Sequence, residues 1–365
     1  MKKILIITNH SYMLYQFRTE LIKKLMEKNE VVLSMPFVGH EEDFMAMGLR
    51  CIKTDIDRRG INPLTDLKLL RTYWQMLCEE KPDMVITYSI KPNIYAGFVC
   101  SILGVPYCAN VQGLGTAFQK KGLAVMVTWM YRIALHQAKT VFFENKVNAM
   151  EFHKRKIIPS AKTKILHGAG VNLEKYTCQP YPDEGVIHFL YLGRIMKEKG
   201  IDELFAAFRK LHGKYGSQVM LDLVGFFEDE YKEQVEALEQ EGMAVFHGFQ
   251  EDPKPYYAMA DCVVLPSYHE GMSNVLLEAA AMGRPLITSD IPGCREAVAD
   301  GISGYLVPVR SRRELYQAMD RMVKMSHEER EEMGLAGRAR MEKCFDRKKV
   351  VAETEKAIWS GLFHK

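Results

Sequence analysis

The chain contains no uninterrupted run of about 18 apolar residues, the length a helix needs to cross a bilayer, so no stretch reads as a membrane span. Its eight cysteines, at positions 51, 78, 100, 108, 178, 262, 294 and 344, include no Cys-x-x-Cys pair. That spacing argues against zinc clusters and disulfide frameworks, and suits buried thiols in a reducing cytosol. No glycine follows the first apolar run, where Thr8-Asn9-His10-Ser11-Tyr12 stands, so a Gly-x-Gly-x-x-Gly dinucleotide turn is missing there. Gly113-Leu114-Gly115 begins such a pattern, but Phe118 replaces its third glycine. No basic stripe interleaved with aromatics and no zinc-finger or RNP-like motif is present, which leaves nucleic acid without a reader. The N-terminal run from Met1 to Thr8 ends at Asn9-His10 without a small-residue cleavage site, and reads as a strand instead of a signal peptide.

What is present is ordinary globular material. Of 365 residues, 47% are apolar and 26% charged, enough for two cores and no case for disorder. Charge is uneven: residues 1–180 carry 25 Lys and Arg against 15 Asp and Glu, and residues 181–365 carry 24 against 31. A basic first half suits an anionic membrane surface or a diphosphate-bearing acceptor.

Strand-like and helical stretches alternate throughout, the pattern of parallel sheets with helices on both faces. A first series of strands comprises 3–8, 31–35, 51–54, 84–88, 107–111, 140–143 and 164–167. A second comprises 187–192, 219–224, 244–246, 262–265, 286–288 and 304–307. Residues 1–172 form one domain, 173–185, with Pro180 and Pro182, a linker, and 186–345 a second domain; 346–365 is a final helix. The amphipathic helices 312–325, 328–344 and 348–362 close the chain. Residues 122–136 are apolar nearly all round and read as a buried core helix, although Trp129, Tyr131 and the lysines before them also suit a leaflet.

The most informative stretch runs from Leu265 to Pro292. A buried strand stops at Pro266, a loop with Glu270 and Gly271 follows, Ser273 or Asn274 can cap a helix, and Val275–Met282 is apolar and alanine-rich. The unpaired N–H groups of such a helix start make an anion site. Glu270 and Glu278 beside it can accept hydroxyl hydrogen bonds, a combination that fits a phosphorylated sugar. A second cationic loop, Gly193-Arg194-Ile195-Met196-Lys197-Glu198-Lys199-Gly200, follows the first strand of the second half. Taken singly, each of these residues has an ordinary reading as a solvated loop or helix-surface group.

Together, Pro-Ser-x-x-Glu-Gly, a glutamate eight positions after the first, an alanine-rich helix and Gly-x-Pro resemble the donor-site signature of the retaining family 4 glycosyltransferases. The loop with Arg194 and Lys199 is similar to that family's Gly-Arg-x-x-x-x-Lys-Gly. The resemblance implies an α/β protein of GT-B type: two Rossmann-like doubly wound domains facing a cleft, acceptor-binding first and donor-binding second, with the C-terminal helix crossing back to the first.

The resemblance further implies that Arg194 and Lys199 neutralise a nucleotide diphosphate, with Gly193 in the turn. It places Gly271, Met272, Ser273, Asn274 and Val275 at the phosphate and sugar, Glu270 at the sugar hydroxyls and Glu278 at the ribose. Phe249 and Gln250 are candidates for the nucleotide base, Phe249 being equally consistent with a core position. Asn9, His10, Gln112, Gly113 and Gly115 are assigned to the acceptor side or cleft. Gln112 stands where many relatives carry a histidine, and Asn172 replaces the usual aspartate of Asn-Gly-x-Asp. Asn62-Pro63 and Val111–Gly115 look like segments of bacterial enzymes that add N-acetylgalactosamine to a diphospho-undecaprenol-linked sugar.

The expected activity is transfer of an N-acetylhexosamine or hexose from a UDP-sugar to a polyprenyl-diphosphate-linked saccharide. The expected place is the cytoplasmic face of a bacterial membrane, in surface-polysaccharide assembly, the protein being peripheral to it. Asp55-Ile56-Asp57 is read as incidental, and no metal or other cofactor is expected, since Arg194 and Lys199 supply the positive charge. A nucleotide-sugar 2-epimerase of the same architecture and a non-catalytic polysaccharide-assembly protein are the rival readings.

Overall fold

Strands whose residues are buried on both faces, such as Ile4 to Ile7 and Cys262 to Leu265, are what a parallel sheet covered by helices on each side requires. The computed structural model describes residues 1–57, 62–114, 118, 121–183 and 185–360. It divides into two units, Met1–Ala169 joined by the chain from Lys348 onward, and Gly170–Arg347.

The first sheet contains β1 (Lys2–Ile7), β2 (Asn29–Met35), β3 (Arg50–Lys53), β4 (Met84–Tyr88), β5 (Tyr107–Val111), β6 (Thr140–Phe143) and β7 (Thr163–Ile165). Its spatial order is β3-β2-β1-β4-β5-β6-β7. The second contains β8 (Ile187–Leu192), β9 (Val219–Val224), β10 (Ala244–Gly248), β11 (Cys262–Leu265), β12 (Leu286–Ser289) and β13 (Gly304–Val307), ordered β10-β9-β8-β11-β12-β13. All these pairings are parallel. Both are doubly wound, and in each the strand order reverses beside the unit's first strand, opening a crevice at the carboxyl ends where ligands bind. In the second sheet that crevice lies between β8 and β11.

Two apolar clusters cover opposite faces of the first sheet, and a third fills the second unit. The final helix, Arg347–Ser360, joins the first unit: Ile358 is buried in its core, and Lys164 meets Glu353 at 3.2 Å. Residues 173–183, expected as a linker, pack on the second unit instead. The Tyr181 hydroxyl donates to the Asp261 carbonyl at 2.7 Å and Arg284 donates to the Pro180 carbonyl at 2.6 Å, so two buried side chains hold a stretch without periodicity.

Three further elements differ from the sequence reading. β10 continues past Phe246 to Gly248 through a bulge at His247, whose Nε2 lies 2.7 Å from the buried Asp222 carboxylate. Residues 328–344 are a helix, His327–Arg340, followed by a π-turn, Met341–Phe345. The helix over 122–136, Lys121–Leu135, is not buried all round: Val125, Met126, Trp129 and Ile133 are exposed, Trp129 by 58%. Apolar composition on every side hid the fact that only one face meets the core.

Candidate functional site

The site is built on the crevice between β8 and β11. β8 ends at Leu192, and the chain turns through Gly193, pinned by the Gly193 N–H on the Val224 carbonyl (2.9 Å) and the Ile195 N–H on that of Phe226 (2.8 Å). Arg194, on this turn, pairs with Glu228 at 2.9 Å and is 42% exposed. A short 3-10 turn, Lys197–Lys199, then leads through Gly200 into the helix Ile201–Tyr215. Gly200 has φ +75, and a Cβ there would lie 2.1 Å from the carbonyl oxygen of Pro266. Only glycine lets the loops after β8 and β11 touch backbone to backbone. The Tyr268 N–H donates to the Glu198 carbonyl at 2.9 Å and completes that seam.

Across the seam Lys199 Nζ meets Glu270 Oε1 at 2.5 Å, and the same oxygen accepts from the Ser267 hydroxyl at 2.9 Å. Both charged side chains are more than four-fifths shielded from solvent. A shielded cation and a shielded acid, each able to exchange its partner for a ligand group, therefore stand at the switch point of the second sheet.

The helix Asn274–Ala281 begins immediately after this pair, with Ser273 at its cap position but making no side-chain cap bond. Its first helical bond runs from the Leu277 N–H to the Ser273 carbonyl, so the N–H groups of Asn274, Val275 and Leu276 precede the ladder. The Ser273 N–H differs from the expected donor: it is bound to the Gly293 carbonyl at 2.8 Å. Gly293 (φ +87) permits this, because a Cβ would lie 2.5 Å from the Gly271 oxygen. The Met272 side chain belongs to the core, leaving its backbone as what it can offer a ligand.

Glu278, one turn further along, is buried and accepts from the Tyr257 hydroxyl at 3.1 Å. Burial raises its pKa, an effect opposed by hydrogen bonds from Tyr257 and Tyr176 and by the charges of Arg347 and Lys175. It is therefore not the solvated helix-surface acid of the ordinary reading. Phe249 is settled too: it is 53% exposed, outside the core, and sits 6.2 Å from the exposed Phe226 ring. The Gln250 amide donates to the His247 carbonyl at 2.7 Å and closes the turn that carries Phe249.

In the first unit, Asn9 and His10 follow β1, and Gln112 and Gly113 follow β5; Gly115 lies outside the described residues. His10 Nδ1 accepts from the Met13 N–H, capping the helix Ser11–Met26. The Gln112 amide donates to Met13 Sδ at 3.4 Å and lines the same small cavity as Glu144, which pairs with Arg18 at 2.9 Å. Burial pushes the Glu144 carboxyl up to about 7, with Arg18 and Gln112 opposing.

Sequence reasoning missed Glu228, Ser267, Tyr257, Tyr176, Gly293 and the Arg18–Glu144 pair. Ser267 lay inside the motif already read, whereas the others come from distant strands or helices and left no local pattern. Asp55 and Asp57 are both exposed, and among the described residues no group of three His, Cys, Asp or Glu is gathered to hold a metal.

Two doubly wound parallel sheets, the second carrying a cationic loop and a helix start at its switch point, have the architecture of the GT-B class. The sequence comparisons give the family. The model described as "Glycosyl transferase 4-like" matches residues 3–145 and that of "Glycosyl transferases group 1" matches 179–340, so the chain belongs to this glycosyltransferase family.

Among relatives, it is 25% identical over 83% of its length, and 84% of theirs, to the N,N'-diacetylbacillosaminyl-diphospho-undecaprenol alpha-1,3-N-acetylgalactosaminyltransferase of Campylobacter jejuni. It is 27% identical, over 82% of both chains, to the capsular polysaccharide biosynthesis glycosyltransferase CapM of Staphylococcus aureus. Among solved structures, Anabaena HepE in complex with UDP superposes with a TM-score of 0.80 at 17% identity, covering 98% of this chain and 100% of that one. Sucrose-phosphate synthase of Thermosynechococcus elongatus superposes at 0.76 with 20% identity, covering 100% and 99%.

Proposed function

We propose that this glycosyltransferase moves an N-acetylhexosamine or hexose, with retention, from a UDP-sugar to a polyprenyl-diphosphate-linked saccharide in bacterial surface-polysaccharide assembly. The observation that carries the donor half is the shielded Lys199–Glu270 pair beside the start of the helix Asn274–Ala281. A diphosphate entering the crevice takes Lys199 from Glu270. The freed carboxylate is then available to a sugar hydroxyl. Breaking the bond between sugar and diphosphate builds negative charge on the departing oxygen, which Lys199, Arg194 and the N–H groups of Asn274 and Val275 meet in fixed positions. Catalysis is then electrostatic and positional, with the acceptor hydroxyl attacking from the face the diphosphate leaves and giving its proton to the departing diphosphate oxygen. Glu278 takes the ribose hydroxyls, and Phe249 and Gln250 lie along the base. Two fixed cations make a metal unnecessary, and turnover should persist in excess EDTA.

The acceptor half draws on the N-acetylgalactosaminyltransferase relative, whose name specifies a diphospho-undecaprenol-linked substrate. A membrane setting is supported by the first unit's own surface. No helix among the described residues is long and apolar enough to cross a membrane. Exposed Phe98, Ile102, Trp129 and Ile133 line a groove of about 500 Å³ together with Arg132 and His136. Residues 91–170 carry 11 Lys and Arg against two Asp and Glu, so this apolar face sits within a basic stretch that complements an anionic leaflet.

The test is incubation with a panel of nucleotide sugars, with and without prenyl-diphosphate-linked saccharides. UDP release from one donor, accelerated by acceptor and giving a product with the donor's anomeric configuration, supports the proposal. Acceptor-independent conversion of the donor to its 2-epimer, or no turnover of any donor, overturns it.

A further inference from the structure

The Arg18–Glu144 pair is unused by the donor chemistry and has no place in it. Glu144 follows the last residue of β6, at the carboxyl edge of the first sheet, and the helix Ser11–Met26 brings Arg18 against it at 2.9 Å. Arg18 is 93% buried by its 7% residual exposure, with its guanidinium 5.3 Å from the centroid of the Tyr88 ring. Its Nε is shielded and has no hydrogen-bond partner among the described residues. Beside the pair lies a cavity of about 10 Å³, lined by Arg18, Asn110, Gln112, Phe142, Glu144 and Gly168 among others.

A buried ion pair is a poor device for stability, because well-packed apolar residues do as well. An arginine left with an unmet donor is poorer still. At the ligand edge of a doubly wound sheet such a pair reads as a binding element. Its chemistry selects the occupant. The space admits one water or one hydroxyl, and its wall offers the Glu144 carboxylate, which accepts. A hydroxyl can donate to it. A phosphate is too large and would face the charge of Glu144.

We propose that Glu144, held by Arg18, binds one hydroxyl of the saccharide acceptor. This rests on the glycosyltransferase reading above and adds the residue that recognises the acceptor sugar. The ionised carboxylate is the stronger acceptor, so the protonation state of Glu144 controls the contact. Burial raises that carboxyl to about 7. The groups around it are the Arg18 guanidinium from the first helix, the Tyr88 phenol at the end of β4, itself pushed up by burial and so neutral, and the uncharged Asn110 and Gln112 of β5 and its loop. Acceptor affinity should therefore fall as pH drops through 7.

The experiment uses the full chain, a UDP-sugar and the best-used member of a panel of synthetic prenyl-diphosphate-linked saccharides, each varied in turn with the other saturating, so that the Michaelis constants of donor and acceptor are measured from pH 6 to 8.5. In the wild type the acceptor KM rises severalfold from pH 8 to pH 6, while the donor KM changes little. Glu144→Gln raises the acceptor KM about tenfold at pH 8 and flattens its pH dependence. Arg18→Lys, which keeps a cation but loses the planar fork, moves the midpoint of that dependence. A structural role alone would lower thermal stability without moving a midpoint. An acceptor KM in Glu144→Gln equal to the wild type's across the range overturns the inference and leaves the donor chemistry standing. A wild type that turns over the donor but none of the saccharides removes both the inference and the lipid-linked acceptor.

Discussion

Replacing Lys199 by Met keeps the length and apolar stem of the side chain while deleting the ammonium, and so isolates the charge. In the ligand-free site the deletion takes the ammonium from Glu270 Oε1 and leaves the Ser267 hydroxyl on it at 2.9 Å. Because Glu270 keeps 13% side-chain exposure, the destabilisation should stay near ~1–2 kcal/mol, below the ~3–5 kcal/mol of a fully buried pair cut in half. Kinetics should move much further. Two unit charges 4 Å apart interact by about 4 kcal/mol at an effective dielectric near 20. Lys199 is shielded enough for that value to apply to the charge that develops on the departing diphosphate.

Since most of that charge appears only as the sugar bond breaks, the loss belongs to kcat. It should be about 10²-fold to 10³-fold, the range found when one fixed donor is removed from an oxyanion site. Arg194 offers a contrast, because it is 42% exposed and already balanced by Glu228. Arg194→Met should lower kcat by about tenfold under the greater solvent screening of an exposed charge. Chromatographic assay of UDP release at saturating donor checks both. Lys199→Met within fivefold of the wild type, with thermal stability intact, would refute the assignment of charge development to this lysine.

Gly200→Ala should destabilise the second unit by more than ~3 kcal/mol, since left-handed strain adds to a backbone clash with Pro266, and a thermal melt should record a fall of roughly 6 °C or more. Glu278→Gln should separate stability from function. The folded state holds the Glu278 proton more tightly than an ordinary carboxyl of 4.5, so its stability is greatest at low pH and declines as pH rises through and above 4.5. The neutral amide removes that decline, so the variant should melt no lower than the wild type at pH 8 while its UDP-sugar KM rises about tenfold, about 1.4 kcal/mol. Trp129→Glu should abolish flotation with anionic phosphatidylglycerol vesicles, and the binding it removes should weaken in the wild type as salt rises.

Most of the architecture is legible in the sequence because buried parallel strands leave short apolar runs bounded by glycine and proline. Met84–Tyr88, Tyr107–Val111, Thr140–Phe143, Ile187–Leu192, Val219–Val224, Cys262–Leu265 and Gly304–Val307 coincide with their expected limits. The two loops at the switch point of the second sheet were legible for a related reason: Arg194, Lys199, Glu270 and the helix start are each local in sequence, and the family spacing ties them together.

What escaped was the set of partners. Glu228 reaches Arg194 from the turn after β9, Tyr257 reaches Glu278 from another helix, and Gly293 takes the Ser273 N–H from beyond β12. None of these has a periodicity or motif, because each is chosen by tertiary proximity alone. The same holds for the exposed face of Lys121–Leu135, where pattern could register apolarity but not which side the sheet leaves bare.

The central claim is that the crevice between β8 and β11 grips the nucleotide's phosphates. A crystal structure of the chain soaked with UDP tests it most directly. The account predicts phosphate oxygens within hydrogen-bonding distance of Lys199 Nζ and of the Asn274 and Val275 N–H groups, with the Lys199–Glu270 contact opened. UDP bound elsewhere, with Lys199 still closed on Glu270, would contradict it.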